Sequence, residues 1–138
     1  MIDFRKLDAM LDLDTRCLHW QAEVTPTEAL EFSARSRQYN AWTPLRAVTL
    51  IEAVNKAIPP MDYGPLNPNT GRMHHTYRVG RSYSREMFVQ IVKAYMPKDT
   101  DYLQLVVDLH EMGRAAAVDF QSVVEETAGS LTFRWWWD

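Results

Sequence analysis

The chain is poor in several features that define whole classes of protein. It has one cysteine, Cys17, in 138 residues, which excludes an internal disulfide. Its longest apolar segments are broken within roughly eight positions, far short of the ~18 residues that a membrane-spanning helix needs. The first fourteen residues hold four aspartates where a secretory signal would have an uninterrupted apolar stretch. We therefore expect a cytoplasmic protein that makes no membrane contact.

The sequence also lacks the short motifs that mark common enzymes and cofactor-binding proteins. It contains no glycine-rich phosphate loop, no His-Glu-x-x-His pair and no Gly-x-Ser-x-Gly turn. Cys17 and the four histidines do not form the paired clusters of a structural zinc site, so no metal or cofactor is expected. One small cluster, His110 with Asp108 and Glu111, has residue types suited to acid–base catalysis but indicates no substrate. The missing motifs favour a binding protein over an enzyme.

What remains is the composition of an ordinary globular domain. Hydrophobic residues make up 46% of the chain and charged residues 24%. A chain of this length buries about two thirds of the surface that its unfolded form exposes, which is enough for a substantial core. The sequence has no internal repeat, no low-complexity tract and no long polar linker. We therefore predict a single domain over residues 1–138.

Apolar spacing and helix-start signals predict about five helices. The clearest start is Thr25-Pro26-Thr27-Glu28, a capping box with proline at the first helical position, and Thr43-Pro44 repeats part of this signal. Ser84 can cap a further helix. The predicted helices span about 4–14, 25–39, 43–58, 84–96 and, as the longest pattern, 100–128. Gly129 would end this last helix, and Gly113 is a position where it could be kinked or split.

Alternation of apolar and polar residues predicts strands over 18–24 and 131–137, and a weaker strand over 74–80. Because a two-stranded ribbon is marginal in water, these three segments should pair in a small antiparallel sheet that packs on the helices. The predicted fold is therefore a mainly helical α+β domain. The alternative is an all-α bundle with the tryptophan-rich C-terminus packed on its surface.

Three consecutive tryptophans near the C-terminus are the most unusual feature of the sequence. Alternation directs Trp135 and Trp137 into the core and Trp136 to the opposite side, beside Arg134, and such aromatic and arginine pairs dominate many binding interfaces. The irregular segment 59–71 is a second candidate surface, unless it covers Trp136. The predicted partner-binding residues are Trp136, Arg134, Asp108, Glu111 and Tyr63.

These features lead to the hypothesis of a small regulatory or inhibitory protein that binds another protein. Compact single domains without motifs are often accessory proteins of phages and mobile elements, and we expect this one to act on a host protein complex. A homodimer is a further expectation, because an aromatic strand at the C-terminus can pair with its twin across a two-fold axis.

The alternative hypothesis is nucleic-acid binding. Residues 64–85 carry four arginines and no acidic residue, whereas the segment before them has a net charge of −2 and the segment after them a net charge of −5. Arginine forks suit phosphates and tyrosine rings stack on bases. The candidate residues are Arg72, Arg78, Arg81, Arg85, Tyr77 and Tyr83. The competing interpretation is that these arginines pair with the acidic C-terminal third. Residues 25–42 also look slightly like a helix-turn-helix, with Arg35, Arg37, Gln38 and Asn40 as base readers.

Overall fold

The structure, a computed structural model, describes residues 21–36, 38, 41–58, 75–80 and 86–138. In chain order these ranges form β1 (Gln21–Val24), α1 (Pro26–Arg35), α2 (Pro44–Ala57), β2 (His75–Gly80), β3 (Glu86–Val92), a 3-10 turn (Lys93–Tyr95), α3 (Tyr102–Ala115), β4 (Phe120–Glu126) and β5 (Ser130–Trp136). The predicted helix 4–14 and loop 59–71 lie outside the described residues. None of the described helices is long and apolar enough to cross a membrane.

The five described strands form one antiparallel sheet in the order β1-β2-β3-β5-β4. Chain neighbours β2 and β3 pair directly, and β5 inserts between β3 and β4. The register sets Trp136 of β5 between Glu86 of β3 and Phe120 of β4. Two residues earlier in β5, Arg134 lies between Phe88 of β3 and Ser122 of β4. The C-terminal strand therefore sits inside the sheet and has a neighbour on each side.

The helices cover one face of this sheet, which we call the inner face. Met87, Val89 and Ile91 of β3 are fully buried there, whereas their chain neighbours on the opposite, outer face are only half-buried. On the inner face the Tyr77 hydroxyl of β2 donates to Asn55 Oδ1 of α2 at 2.7 Å. Trp135 Nε1 of β5 donates to the backbone carbonyl of α3 at residue 109, at 3.3 Å. Both helices thus anchor on side chains of the inner face.

The predicted helix starts of α1 and α2 are confirmed. Thr25 accepts a hydrogen bond from the Glu28 amide at 3.1 Å while the Glu28 carboxylate accepts one from the Thr25 amide at 3.0 Å, which completes the capping box. Thr43 caps α2 through the Arg46 amide at 3.1 Å. These signals are local, so the chain forms both helix starts without help from distant residues.

The buried core joins α1 and α2 to the inner face of the sheet. Its largest fully buried side chains are Trp135, Trp137, Tyr77, Phe32, Phe133, Leu50 and Ile51. Burial raises the pKa of Tyr77, so the phenol stays protonated as the donor to Asn55. The buried side chains of α2 are Ala47, Leu50, Ile51 and Val54, whereas Leu45 at the start of the helix is 75% exposed.

The expected count of about five helices is wrong, because the predicted helix 84–96 contains a strand, β3. Its residues Phe88, Ile91 and Val92 fit helical spacing, yet the buried positions alternate with a period of two. An inner strand with apolar residues on both faces can satisfy either spacing. The described residues contain three α-helices and a sheet larger than the three segments predicted, so the overall class is still α+β and the all-α alternative is excluded.

The predicted helix 100–128 is also wrong, since α3 ends at Ala115 and the chain returns as β4. The Val118 amide donates to the Gly113 carbonyl and the Ala117 amide to the Arg114 carbonyl, both at 3.0 Å. This is a Schellman motif, in which the residue after the cap adopts the left-handed conformation. Ala117 has φ of 58° at that position, where glycine is usual. The helix end therefore carries no glycine that would reveal it in the sequence.

We expect Ala117→Gly to stabilise the protein by about 0.5–1 kcal/mol, because glycine avoids the steric cost of a positive φ in the folded state. Glycine also has greater conformational entropy in the unfolded chain, but this opposing effect is smaller than the steric cost that is removed. The control is Ala115→Gly, one exposed position inside α3, which should lower stability by about 0.5–1 kcal/mol. Urea unfolding followed by circular dichroism measures both. A loss of stability in Ala117→Gly would contradict this account of the helix end.

Candidate partner-binding site

The three C-terminal tryptophans divide between the two faces of the sheet, as the alternation predicts. Trp135 and Trp137 are fully buried on the inner side, whereas Trp136 is half-buried on the outer face. Each buried indole has a hydrogen-bond acceptor: Trp135 donates to the Leu109 carbonyl and Trp137 to the Ala116 carbonyl, at 3.3 and 2.9 Å. The fold therefore fixes the direction of Trp136 through its two neighbours.

A shallow groove of about 290 Å³ lies on the outer face between β4 and β5. It is lined by Phe120, Gln121, Ser122, Arg134 and Trp136, and we call it the β4–β5 groove. The rings of Phe120 and Trp136 lie 5.1 Å apart, centroid to centroid, tilted by 32°. Phe120 is 56% exposed, which is unusual for a phenylalanine. Two aromatic rings thus form an apolar wall that is open to solvent.

Arg134 gives the groove its charge. Its Nη2 donates to Glu86 Oε1 at 2.7 Å, and its guanidinium carbon lies 5.1 Å from the centroid of the Trp136 ring. Both members of the ion pair are about 30% exposed, so the pair adds at most about 1 kcal/mol to stability and acts mainly to orient the guanidinium. Arg134 Nε is buried without a hydrogen-bond partner among the described residues. The guanidinium is therefore held beside the aromatic wall with its hydrogen-bonding capacity incompletely used.

Phe120, Ser122 and Glu86 are residues of this site that the sequence analysis missed. Phe120 and Ser122 fell inside the predicted long helix, and Glu86 inside the predicted helix 84–96. Their positions beside Arg134 and Trp136 follow from strand pairing, which links residues as far apart in sequence as Glu86 and Trp136. The only local signal was the β-branched pair Val123-Val124 after Phe120, which suits a strand.

The structure does not bring Asp108 and Glu111 to the groove. Both lie on α3, which packs against the inner face through Leu109, whereas Trp136 is on the outer face. Asp108 accepts a hydrogen bond from the Gln104 side chain at 2.9 Å, and Glu111 is exposed. The acidic face of α3 is therefore a separate surface. Tyr63, the fifth predicted contact, lies outside the described residues.

The cluster of His110, Asp108 and Glu111, considered for acid–base catalysis, lies on α3, and the contacts of His110 are those of a helix packed on the sheet. The His110 ring meets the Phe133 ring edge-on at 4.9 Å, and its backbone carbonyl accepts from the Gln121 side chain at 3.0 Å. Asp108 is engaged with Gln104 along the helix. Among the described residues no group of three or more histidine, cysteine or carboxylate side chains could hold a metal ion. These contacts explain His110 as part of the helix–sheet packing.

Most of the residues suggested for nucleic-acid binding lie outside the described ranges, namely Arg72, Arg81, Arg85 and Tyr83. Tyr77 is fully buried and bonded to Asn55, so its ring is not available to stack on a base. Arg78 lies in β2, with Phe88 and Glu23 as its neighbours in register. Tyr77 therefore does not contribute to a surface on which bases could stack.

The helix-turn-helix expected over residues 25–42 is not formed. α1 ends at Arg35, because Ser36 turns to an extended conformation and its hydroxyl donates to the Ser33 carbonyl at 2.7 Å. Trp42, at the end of the segment, is 3% exposed, lies outside any helix and donates to the Ser36 hydroxyl at 3.1 Å. Arg35 pairs with Glu31 at 3.6 Å. Arg37 and Asn40 lie outside the described residues, and Gln38 has no helical conformation.

Comparisons with known proteins give this chain no relative. No model of a protein family matches it, no curated protein matches it, and no solved structure matches its fold. A functional interpretation therefore rests on the residues and geometry described above.

Proposed function

We propose that this chain is a small cytoplasmic protein-binding module that regulates or inhibits its partner, with the β4–β5 groove as its binding surface. The observation that carries the proposal is the aromatic wall of Phe120 and Trp136 beside the Arg134 guanidinium. These residues lie on a sheet face over which no described helix packs. Tryptophan, arginine and other aromatic side chains supply most of the binding energy at protein interfaces.

The exposure of the groove residues supports this interpretation energetically. A solvent-facing phenylalanine such as Phe120 gains roughly 25 cal/mol for each Å² of apolar surface that a partner covers. Trp136 presents a ring that is already held by Phe120 and Arg134, so its ordering costs little on binding. A preorganised aromatic pair flanked by a cation is the arrangement expected at the centre of an interface.

The shape of the groove favours a macromolecular partner over a small molecule. Its volume of about 290 Å³ is at the lower limit of ligand pockets, which enclose most of a small molecule's surface. The groove is a shallow depression along two strands, which matches a peptide segment or a protein surface. Nucleic-acid binding is the alternative, and the experiment below separates the two because a partner that is held through nucleic acid is lost after nuclease treatment.

The test is capture of partners from lysate of the native host, with and without nuclease, by the wild type and by Trp136→Ala. We expect a stoichiometric protein that survives nuclease and binds Trp136→Ala at least ~30-fold more weakly, the effect of losing about 2 kcal/mol at a hot spot. The free energy of unfolding should change by about 1 kcal/mol or less, because Trp136 is only half-buried.

The matched control is Leu45→Ala, which truncates a 75% exposed apolar side chain on α2, away from the groove. It should leave both capture and stability unchanged. Retention of the partner by both Trp136→Ala and Phe120→Ala at wild-type affinity would refute the groove as the binding surface. Recovery of nucleic acid in place of a protein would refute protein binding.

A further inference from the structure

β4 is the end strand of the described sheet, and its outward edge pairs with no described strand. The sheet order places β5 on one side of β4 and nothing on the other within the described ranges. Five of its seven residues are exposed and none is buried. An edge of this kind presents a row of backbone N–H and C=O groups that can pair with another chain.

The first four residues of β4, Phe120–Val123, carry none of the side chains that normally block such pairing. Natural edge strands are protected by charged side chains, especially lysine, by proline, by short length or by a bulge. β4 has seven residues and neither lysine nor proline, and two of its apolar side chains are strongly exposed, Phe120 at 56% and Val124 at 46%. An irregularity between Val123 and Glu125 limits the regular pairing with β5. The open edge therefore consists mainly of the four residues Phe120–Val123.

The charge around this edge is negative. Residues 115–133 contain Asp119, Glu125 and Glu126 and no lysine or arginine. Lys93 pairs with Glu126 at 3.2 Å, and Asp119 accepts from the C-terminal Asp138 amide at 2.7 Å. Glu125 is exposed and has no ion pair within the described residues. A chain that adds to β4 would meet uncompensated negative charge at the Glu125 end.

This charge pattern argues against a second copy of the chain as the occupant. If an antiparallel β4–β4 pair extends past the irregularity and matches the exposed apolar residues, it sets Phe120 opposite Val124 of the other copy. The same register sets Asp119 opposite Glu125 twice, once on each side of the two-fold axis. Like charges directly opposite each other destabilise a strand pair. A segment with basic residues at that end would instead form favourable cross-strand pairs.

We propose that β4 accepts an extended segment of a partner protein as an added strand, and that this segment has alternating apolar residues and lysine or arginine at the end that lies beside Glu125. The inference rests on the proposed function, because an added strand would continue the sheet next to the β4–β5 groove. Backbone hydrogen bonds supply affinity in this binding mode, and side chains supply specificity. Phe120 and Ser122 would contact alternate side chains of the segment.

The probes are synthetic seven-residue peptides. The basic probe alternates valine and threonine and ends in two lysines, and the acidic probe carries glutamates in their place. Fluorescence anisotropy at low salt should give about tenfold or more tighter binding of the basic probe, since complementary charge selects the partner. Glu125→Lys should reverse this preference, whereas Glu52→Lys, the same exchange at an exposed position of α2, should leave it unchanged.

Backbone pairing is tested by two N-methylated forms of the basic probe, one methylated at odd and one at even positions. A strand uses only alternate amides toward one neighbour, so one form should lose binding and the other retain it. The amides of Phe120–Val123 that point away from β5 should also gain protection from hydrogen exchange when the basic probe binds. Equal binding of both methylated forms, equal binding of basic and acidic probes, or no binding of any probe would overturn the proposal.

The two proposals can fail separately. If the basic probe fails to protect β4 while Trp136→Ala still abolishes capture of the native partner, strand addition is refuted and the groove remains the binding surface. If the probe adds to β4 while Trp136→Ala captures the partner normally, the groove is refuted alone. Sedimentation that finds a dimer, dissociated by Ser122→Lys at the β4 edge, would show a second copy on this edge and overturn the proposed occupant.

Discussion

Replacing Trp137 by alanine is expected to destabilise the protein by about 3–5 kcal/mol, the usual cost of deleting a large buried aromatic side chain. The Trp137 indole is fully buried, donates to the Ala116 carbonyl at 2.9 Å and meets the Trp42 ring edge-on at 5.0 Å. The truncation would remove these contacts, leave the Ala116 carbonyl without its donor and open a cavity between α3 and the segment before α2. Urea unfolding followed by circular dichroism measures the loss.

Trp137→Phe gives a second measurement if the alanine variant does not fold. It keeps much of the ring volume but loses the hydrogen bond, so we expect a loss of about 1–3 kcal/mol. The control is Trp136→Ala, one residue away on the outer face, where the expected change is about 1 kcal/mol or less. Similar losses for Trp136→Ala and Trp137→Ala would contradict the division of the tryptophans between the two faces.

The parts of the fold that the sequence could predict are those set by near neighbours. The capping box at Thr25 and Glu28 spans three residues, and its hydrogen bonds form wherever that helix begins. The alternation in β5 likewise needs no knowledge of its partners, because successive side chains of any strand point to opposite faces. The burial of Trp135 and the outward direction of Trp136 followed from that geometry alone.

The parts that could not be predicted are those decided by distant contacts. β3 has apolar residues on both faces because it lies inside the sheet, so Phe88 and Val92 complete a helical spacing that the chain does not use. α3 ends at Ala115 within the run Ala115–Ala117, whose residues favour helix continuation, because the packing of the following strand on β5 outweighs local preference. In both segments tertiary pairing overrides the pattern visible in the sequence.

In the candidate site too, contacts within one strand could be predicted from the sequence and contacts between strands could not. Arg134 and Trp136 share a face of one strand, so their proximity was predictable from spacing. Phe120 and Glu86 reach them only through the pairing of β4 and β3 with β5. Asp108 and Glu111 were predicted to bind the same partner as Trp136, but they lie on α3, the helix that packs on the inner face. Sequence reasoning therefore identified Arg134 and Trp136 but missed Phe120, the second ring of the aromatic wall, and Glu86, the ion-pair partner of Arg134.

Gly113 lets the backbone of α3 lie close to the Trp135 ring of β5, and we expect Gly113→Ala to destabilise the protein by about 2 kcal/mol. A Cβ at this position would lie 2.7 Å from Cδ1 and 2.8 Å from Nε1 of the Trp135 ring, and 2.1 Å from Oε1 of Gln121. Gln121 can move, at the cost of its bond to the His110 carbonyl. The Trp135 ring is fully buried and has no such freedom.

The sign of this effect is a test of the helix–sheet packing, because alanine normally stabilises a helix interior by about 1 kcal/mol relative to glycine. Overpacking against a rigid ring costs about 1–3 kcal/mol, and displacement of Trp135 also weakens its bond to the Leu109 carbonyl, so the net change should be a loss. The control is Gly129→Ala, where the nearest atom to the new Cβ is 4.0 Å away and stability should change little. Urea unfolding of both variants decides the matter: a gain in stability for Gly113→Ala would mean that α3 does not approach the Trp135 ring this closely.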